Sequence, residues 1–74
     1  MPFKIGDTVK ITAGTGKVVW IKPRKIAKDG NPNLPLIDGP DWDIGVMVRN
    51  PPDCLFPFFI YCAHAEFATL IKNK

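Results

Sequence analysis

The chain has 74 residues, of which 46% are apolar and 23% charged, with a formal net charge of +3. That length is one domain, close to the size at which a single core becomes marginal, since chains of about 60 residues bury only roughly 60% of their unfolded surface, and it excludes a large enclosed active site. The apolar content excludes a disordered chain, and the absence of any apolar run near the ~20 residues of a membrane span gives no reason to expect a membrane partner.

The first stretch, Phe3 to Ile21, predicts a β-hairpin. Gly6-Asp7 opens a strand, Val9 and Ile11 alternate with Thr8, Lys10 and Thr12, and a Gly14-Thr15-Gly16 tip returns the chain into the apolar Val18-Val19-Trp20-Ile21. Pro23 is expected to stop this second strand, because proline cannot donate a ladder hydrogen bond. Residues 22 to 42 then read as one long loop, dense in turn formers at Asp29-Gly30-Asn31-Pro32 and Asp38-Gly39-Pro40-Asp41. Loops of that length are uncommon in compact domains and are usually functional. Leu34, Leu36 and Ile37 are expected to pack part of it back on the body.

Alternation returns at Trp42 to Arg49, a third strand with Trp42, Ile44, Val46 and Val48 on one face. Asn50-Pro51-Pro52-Asp53 reads as a turn, and Phe56 to Cys62 as an apolar fourth strand. Its alternation sets Phe56, Phe58, Ile60 and Cys62 against Phe59 and Tyr61, with Phe56 and Phe58 expected in the core. The tail predicts a helical turn over His64 to Phe67 and a closing strand beside the first, with a single helix over 63 to 72 as the competitor. Pairing of the last strand with the first is expected to close a barrel and remove its edges. The predicted class is therefore all-β, one five-stranded small barrel.

This order of elements resembles the SH3-like small barrel over nearly the whole chain. The run Gly6-Asp7-x-Val9-x-Ile11 through Gly14-x-Gly16-Lys17-Val18 looks like the KOW-type modules of ribosomal and transcription proteins, which bind RNA or protein. It also looks like small barrel subunits of electron-transfer complexes, such as the small stromal subunit of photosystem I and the variable chain of ferredoxin-thioredoxin reductase, which dock without a cofactor. A more distant resemblance is to the plasmid-encoded type II dihydrofolate reductase, a tetramer of such barrels. Ile60 and Tyr61 match its pore-lining Val-Gln-Ile-Tyr, so the resemblance implies an oligomeric reductase as a second alternative function, whereas Phe59 stands in place of the glutamine that contacts the cofactor and pterin.

Charge is unevenly placed. Residues 1 to 28 hold seven bases and one acid, residues 29 to 53 five acids and one base. A basic segment recruits phosphates or an acidic partner, so Lys17, Lys22, Arg24, Lys25 and Lys28 with Trp20 form a candidate nucleic-acid surface. A candidate protein-binding surface consists of Trp42, Phe59, Tyr61 and Arg49, because aromatic surfaces offer large contact area at small rotamer entropy. Tyr61 also makes a homo-oligomer conceivable.

Chemistry finds less support. Cys54 and Cys62 could pair, but buried free thiols are the expected state in a reducing compartment. Together with His64 they fall short of a zinc ligand set, and no cofactor is implied. Cys62 and His64 share a strand face, a geometry a thiol nucleophile could use, but no third orienting group is evident. Asp38, Asp41 and Asp43 read as solvated turn carboxylates. Gly14-Thr15-Gly16-Lys17 lacks the length and following helix of a phosphate-binding loop. Met1-Pro2-Phe3 lacks a secretory pattern, so the cytoplasm is the expected location. The sequence thus predicts a non-enzymatic module that docks a macromolecule, protein before nucleic acid, through its long loop and aromatic fourth strand.

Overall fold

A computed structural model of the chain describes residues 1 to 51 and 55 to 74. It contains five strands, β1 (Thr8–Ile11), β2 (Gly14–Ala27), β3 (Leu36–Arg49), β4 (Phe58–His64) and β5 (Thr69–Lys72), with 3-10 turns at Lys28–Gly30 and Ala65–Phe67. All pairings are antiparallel, and the order across the sheet is β4-β3-β2-β1-β5. No described helix is long and apolar enough to cross a membrane.

The opening hairpin forms as the alternation predicts. Val9 pairs with Gly16 and Ile11 with Gly14, and both apolar side chains are buried. Ahead of β1, Gly6 turns the chain at φ +95, a conformation that glycine adopts without steric cost. Its N–H donates to the Val18 carbonyl at 2.8 Å, and the Val18 N–H donates to the Asp7 carbonyl at 2.9 Å. The Asp7 side chain, only 3% exposed, accepts the Lys4 N–H at 2.8 Å and the Lys74 N–H at 3.0 Å. One buried carboxylate thereby ties the first turn to the chain just past β5.

The expected loop at residues 22 to 42 is instead mostly strand. β2 continues through Pro23, and β3 begins at Leu36, so the two make a long hairpin closed by Lys28–Gly30 and the residues after it. Proline is accommodated because the ladder breaks register beside it. Between the pairs Pro23↔Trp42 and Lys25↔Asp38, Arg24 faces the bulged Gly39-Pro40-Asp41, where Pro40 needs no donor. Asp29 and Gly30 take positive φ at the tip, as turn residues do. The loop does not fold back: Leu34, Leu36 and Ile37 are exposed, because pairing holds their segment out as an arm.

The core lies on one face of the sheet, where Val9, Ile11, Val18, Ile44, Val46 and Val48 meet Phe3 and Ala65, flanked by Trp42, Tyr61 and Ala63. Facing residues of β3 and β4 share a side, so the pairs Val48↔Phe59, Val46↔Tyr61 and Ile44↔Ala63 put Phe59 and Tyr61 on the inner side, where Tyr61 packs against the core and Phe59 stays 44% exposed. The expected assignment of Phe56 and Phe58 to the core is corrected: β4 begins at Phe58, which points to the outer side, Phe56 precedes the strand, and the two are exposed by 53% and 66%. The period was right and the face inverted, as a strand's two sides exchange with a one-residue change of register.

The tail follows the favoured expectation, a 3-10 turn at Ala65–Phe67 and then β5 beside β1, not one helix. Closure does not follow. β5 pairs only with β1 and β4 only with β3, so the sheet is open and has two edges. The anticipated turn at 50 to 53 begins with Asn50 in the left-handed region at φ 50; Pro52 and Asp53, like Cys54 and any pairing it makes, lie outside the described residues.

Two outcomes check this account. Ile44 is fully buried, so Ile44→Ala is expected to cost about 2–5 kcal/mol in chemical denaturation. The N–H groups of Lys4 and then Lys74 hold the Asp7 carboxyl below its ordinary value of 3.8. A depressed folded pKa contributes stability that is present above the unfolded value and lost as pH falls through the folded one. Stability measured from pH 6 downward should fall through that acid window, and less steeply in Asp7→Asn.

Candidate functional site

The second face of the sheet is built from the alternate residues of every strand. Reading across the ladders gives rows: Lys72, Thr8, Lys17, Met47 and Ile60 in one, Trp20, Gly45 and Cys62 in the next, Lys22, Asp43 and His64 beyond it. Arg49 stands opposite Phe58, and Lys10 between Thr69 and Thr15. The result is a face with lysines on β5, β1 and β2, Arg49 on β3, and apolar side chains from Trp20 on β2, Met47 on β3 and Phe58 and Ile60 on β4.

Trp20 is the centre of this face, and Gly45 puts it there. β2 shifts register by one residue between Val18 and Trp20, which sets Trp20 opposite Gly45. A Cβ on Gly45 would stand 2.1 Å from the indole Nε1, so the ring lies across bare backbone. Lys22 Nζ sits 4.8 Å from the indole centroid, a cation–π contact worth about 0.5–1 kcal/mol at an exposed site.

The basic run divides. Lys17, Trp20 and Lys22 lie on the outer face, whereas Arg24 and Lys25 are paired with acids, chiefly those of β3. Arg24 Nε donates to Asp43 Oδ1 at 3.0 Å, its Nη2 donates to both Glu66 oxygens at 3.0 Å, and Asp41 lies 3.9 Å away. Lys25 pairs with Asp38, and Lys28 sits in the tip turn beside Asp29. The carboxylates expected to be solvated are thus partners of cations on the neighbouring strand. The sequence's uneven charge is two strands of opposite sign laid side by side.

Asp43 joins this network to the second candidate chemistry. Its Oδ1 is 2.9 Å from His64 Nδ1, and the hydrogen bonds from His64 and then Arg24 hold the Asp43 carboxyl below the usual range. The Arg24 guanidinium is stabilised in its charged form chiefly by Asp43. Asp43 is therefore the orienting group that sequence spacing left unseen, supplied across the ladder by the pairing Asp43↔His64. Cys62 makes no hydrogen bond to His64 and is a free, exposed thiol. It was expected to be buried, but it lies on the outer face of an edge strand.

The four residues anticipated for protein binding do not gather. Trp42, Phe59 and Tyr61 belong to the inner face, with the Phe59 and Tyr61 rings 4.9 Å apart, while Arg49 stands on the outer one. Beside the β4 edge, Tyr61, Cys62 and Ala63 border a groove of about 430 Å³ together with Ile11, Thr12, Ala13, His64 and Phe67. What sequence reasoning missed is Met47, Phe58, Ile60, Lys10 and Lys72 as members of the outer face. The alternation signalled that face, but only the ladder partners identify it. No set of His, Cys, Asp and Glu among the described residues could hold a metal ion.

Replacing Gly45 by alanine drives a methyl group into the indole and should cost about 1–3 kcal/mol by overpacking. The change is read by a shift in Trp20 fluorescence and loss of its protection from quenchers; an unchanged spectrum and stability would contradict the geometry.

Comparison of the chain with protein-family models, with curated proteins and with solved structures finds no match.

Proposed function

We propose that the chain is a non-catalytic docking module, an SH3-like small barrel left open along one side, which holds an acidic, partly apolar segment of a protein partner on its outer face. The strand order and the 3-10 turn between β4 and β5 support the fold reading. The observation that carries the function is the composition of the outer face. Lys10, Lys17, Lys22, Arg49 and Lys72 border Trp20, Met47, Phe58 and Ile60, and Asp43, the acid in these rows, is already engaged by Arg24 and His64.

Cations beside an aromatic platform attract negative charge and supply an apolar contact once it arrives. Protein is favoured over nucleic acid because a single-strand binder stacks successive bases on aromatic rings along a groove, whereas here the row of Met47 and Ile60 lies between the rings of Trp20 and Phe58. The long β2–β3 hairpin contributes Lys22 at its base, and its outer part is charge-balanced. The arm thus has a smaller role than the loop reading gave it, and β4 takes part through Phe58 and Ile60 in addition to its inner aromatics.

A nucleic-acid reading keeps one supporting observation, Trp20 with Lys17 and Lys22 on the same face. The two readings separate in one titration. A fluorescent peptide of alternating glutamate and leucine should bind the protein, and the triple substitution of Lys17, Lys22 and Arg49 by alanine should weaken it at least tenfold. Single-stranded RNA and DNA of equal length should bind more weakly than the peptide at low salt. Oligonucleotides bound more tightly than the peptide, with affinity falling steeply as salt rises, would replace this proposal by the nucleic-acid one.

A further inference from the structure

Strand β4 is an edge, and the phase of its ladder states which groups it leaves unpaired. The Asn50 N–H donates to the Pro57 carbonyl at 2.8 Å, and the register then runs without a bulge from Arg49↔Phe58 to Asp43↔His64. In an antiparallel pair, bonded and non-bonded positions alternate. Phe59, Tyr61 and Ala63 therefore direct their peptide groups to β3. Phe58, Ile60, Cys62 and His64 direct theirs away from the sheet.

Edges of this kind are normally blunted by a charge, a proline, a bulge or a cover. Residues 58 to 63 contain no charge, proline or bulge, and Phe58, Phe59 and Ile60 are exposed by 53%, 44% and 46%. A groove of about 430 Å³, bordered also by Ile11, Thr12 and Ala13, leaves space beside Tyr61, Cys62 and Ala63 in the C-terminal half of the edge.

We propose that this edge pairs with the β4 edge of a second copy, antiparallel about a two-fold axis at Tyr61, to make one sheet continuous across the dimer. The outer face excludes a second copy, because like charges on Lys17, Lys22 and Arg49 would meet; the β4 edge does not. Centring on Tyr61 lets Phe58, Ile60, Cys62 and His64 each donate and accept across the axis. It also sets large against small: Phe59 meets Ala63 on the inner face, and Ile60 meets Cys62 on the outer one. Phe58 arrives beside His64, whose ring lies 6.0 Å from that of Phe67, itself 74% exposed. The row of Arg49 and Phe58 then continues into the His64 and Asp43 of the second copy, opposite in charge at its two ends.

Area sets the strength. At about 200 Å² for each large side chain, the exposed parts of Phe58, Phe59, Ile60 and Phe67 together give about 430 Å² per copy, below the roughly 800 Å² of a standard interface. The dimer is accordingly weak, with dissociation in the range of about 1–100 μM.

Sedimentation equilibrium from about 1 to 300 μM of the full chain under reducing conditions should show a monomer–dimer transition in that range. Ile60→Lys, with an unchanged far-ultraviolet spectrum, should remain monomeric throughout. Because that variant could fail to fold, a second one tests the register directly. A chain with Tyr61→Cys, Cys54→Ser and Cys62→Ser places two thiols at a non-hydrogen-bonded cross-strand pair about 4.5 Å apart at Cα, and mild oxidation should convert it to a covalent dimer. A wild-type chain that stays monomeric to 300 μM, a folded Ile60→Lys protein that still dimerises, or a Tyr61→Cys chain that does not cross-link would each overturn the proposal.

Discussion

The pairing of β2 with β3 is the constraint on which the rest of the structure depends. A chain of 74 residues has one core to build, and here the core is a single layer of aliphatic side chains along this ladder. Val18 faces Val46 and Ile21 faces Ile44, with Val9 and Ile11 added from β1. At about 25 cal/mol per Å² of apolar surface removed from water, a core of this size leaves little margin, and Asp7 supplies a polar clasp where the aliphatic layer ends.

The same ladder decides where the charges go. A basic strand and an acidic strand lie in register, so Lys25 meets Asp38 and Arg24 spans Asp41, Asp43 and Glu66. Exposed pairs of this kind contribute only about 0–1 kcal/mol each; their larger effect is on recognition, since cations already paired are not available to an anionic ligand. On the body of the sheet, the cations outside these pairs are the ones facing outward, Lys10, Lys17, Lys22, Arg49 and Lys72. They surround an indole that reaches its place only because residue 45 has no side chain. In the proposed reading the docking surface therefore lies on the sheet and not on the arm.

Several elements were legible in the sequence because their signals are local. The Gly6-Asp7 opening, the strict alternation of Val9 and Ile11 and of Ile44, Val46 and Val48, and the 3-10 turn before the last strand all follow from period and turn chemistry. The long hairpin was not legible, because Pro23 and Gly39-Pro40 read as strand breakers, and only a break in register turns them into a tolerated bulge. The face of β4 was not legible either. Phe56, Phe58, Phe59 and Tyr61 are all apolar, so period alone could not say which pair lies inside, and register with Val46 and Val48 decided it. The Asp43 and His64 contact joins residues far apart in sequence, and no spacing rule reveals it.

Residues 22 to 27 and 36 to 43 are strands of one hairpin and not a loop, and the paired charges of the arm and the basic outer face both follow from that. Nuclear Overhauser contacts between backbone protons test it most directly. The account predicts cross-strand contacts joining Lys22 to Asp43 and Ile26 to Ile37, with slow amide exchange along both segments. Fast exchange from 22 to 42 with no such contacts would contradict it, and would return Arg24 and Lys25 to the pool of free cations.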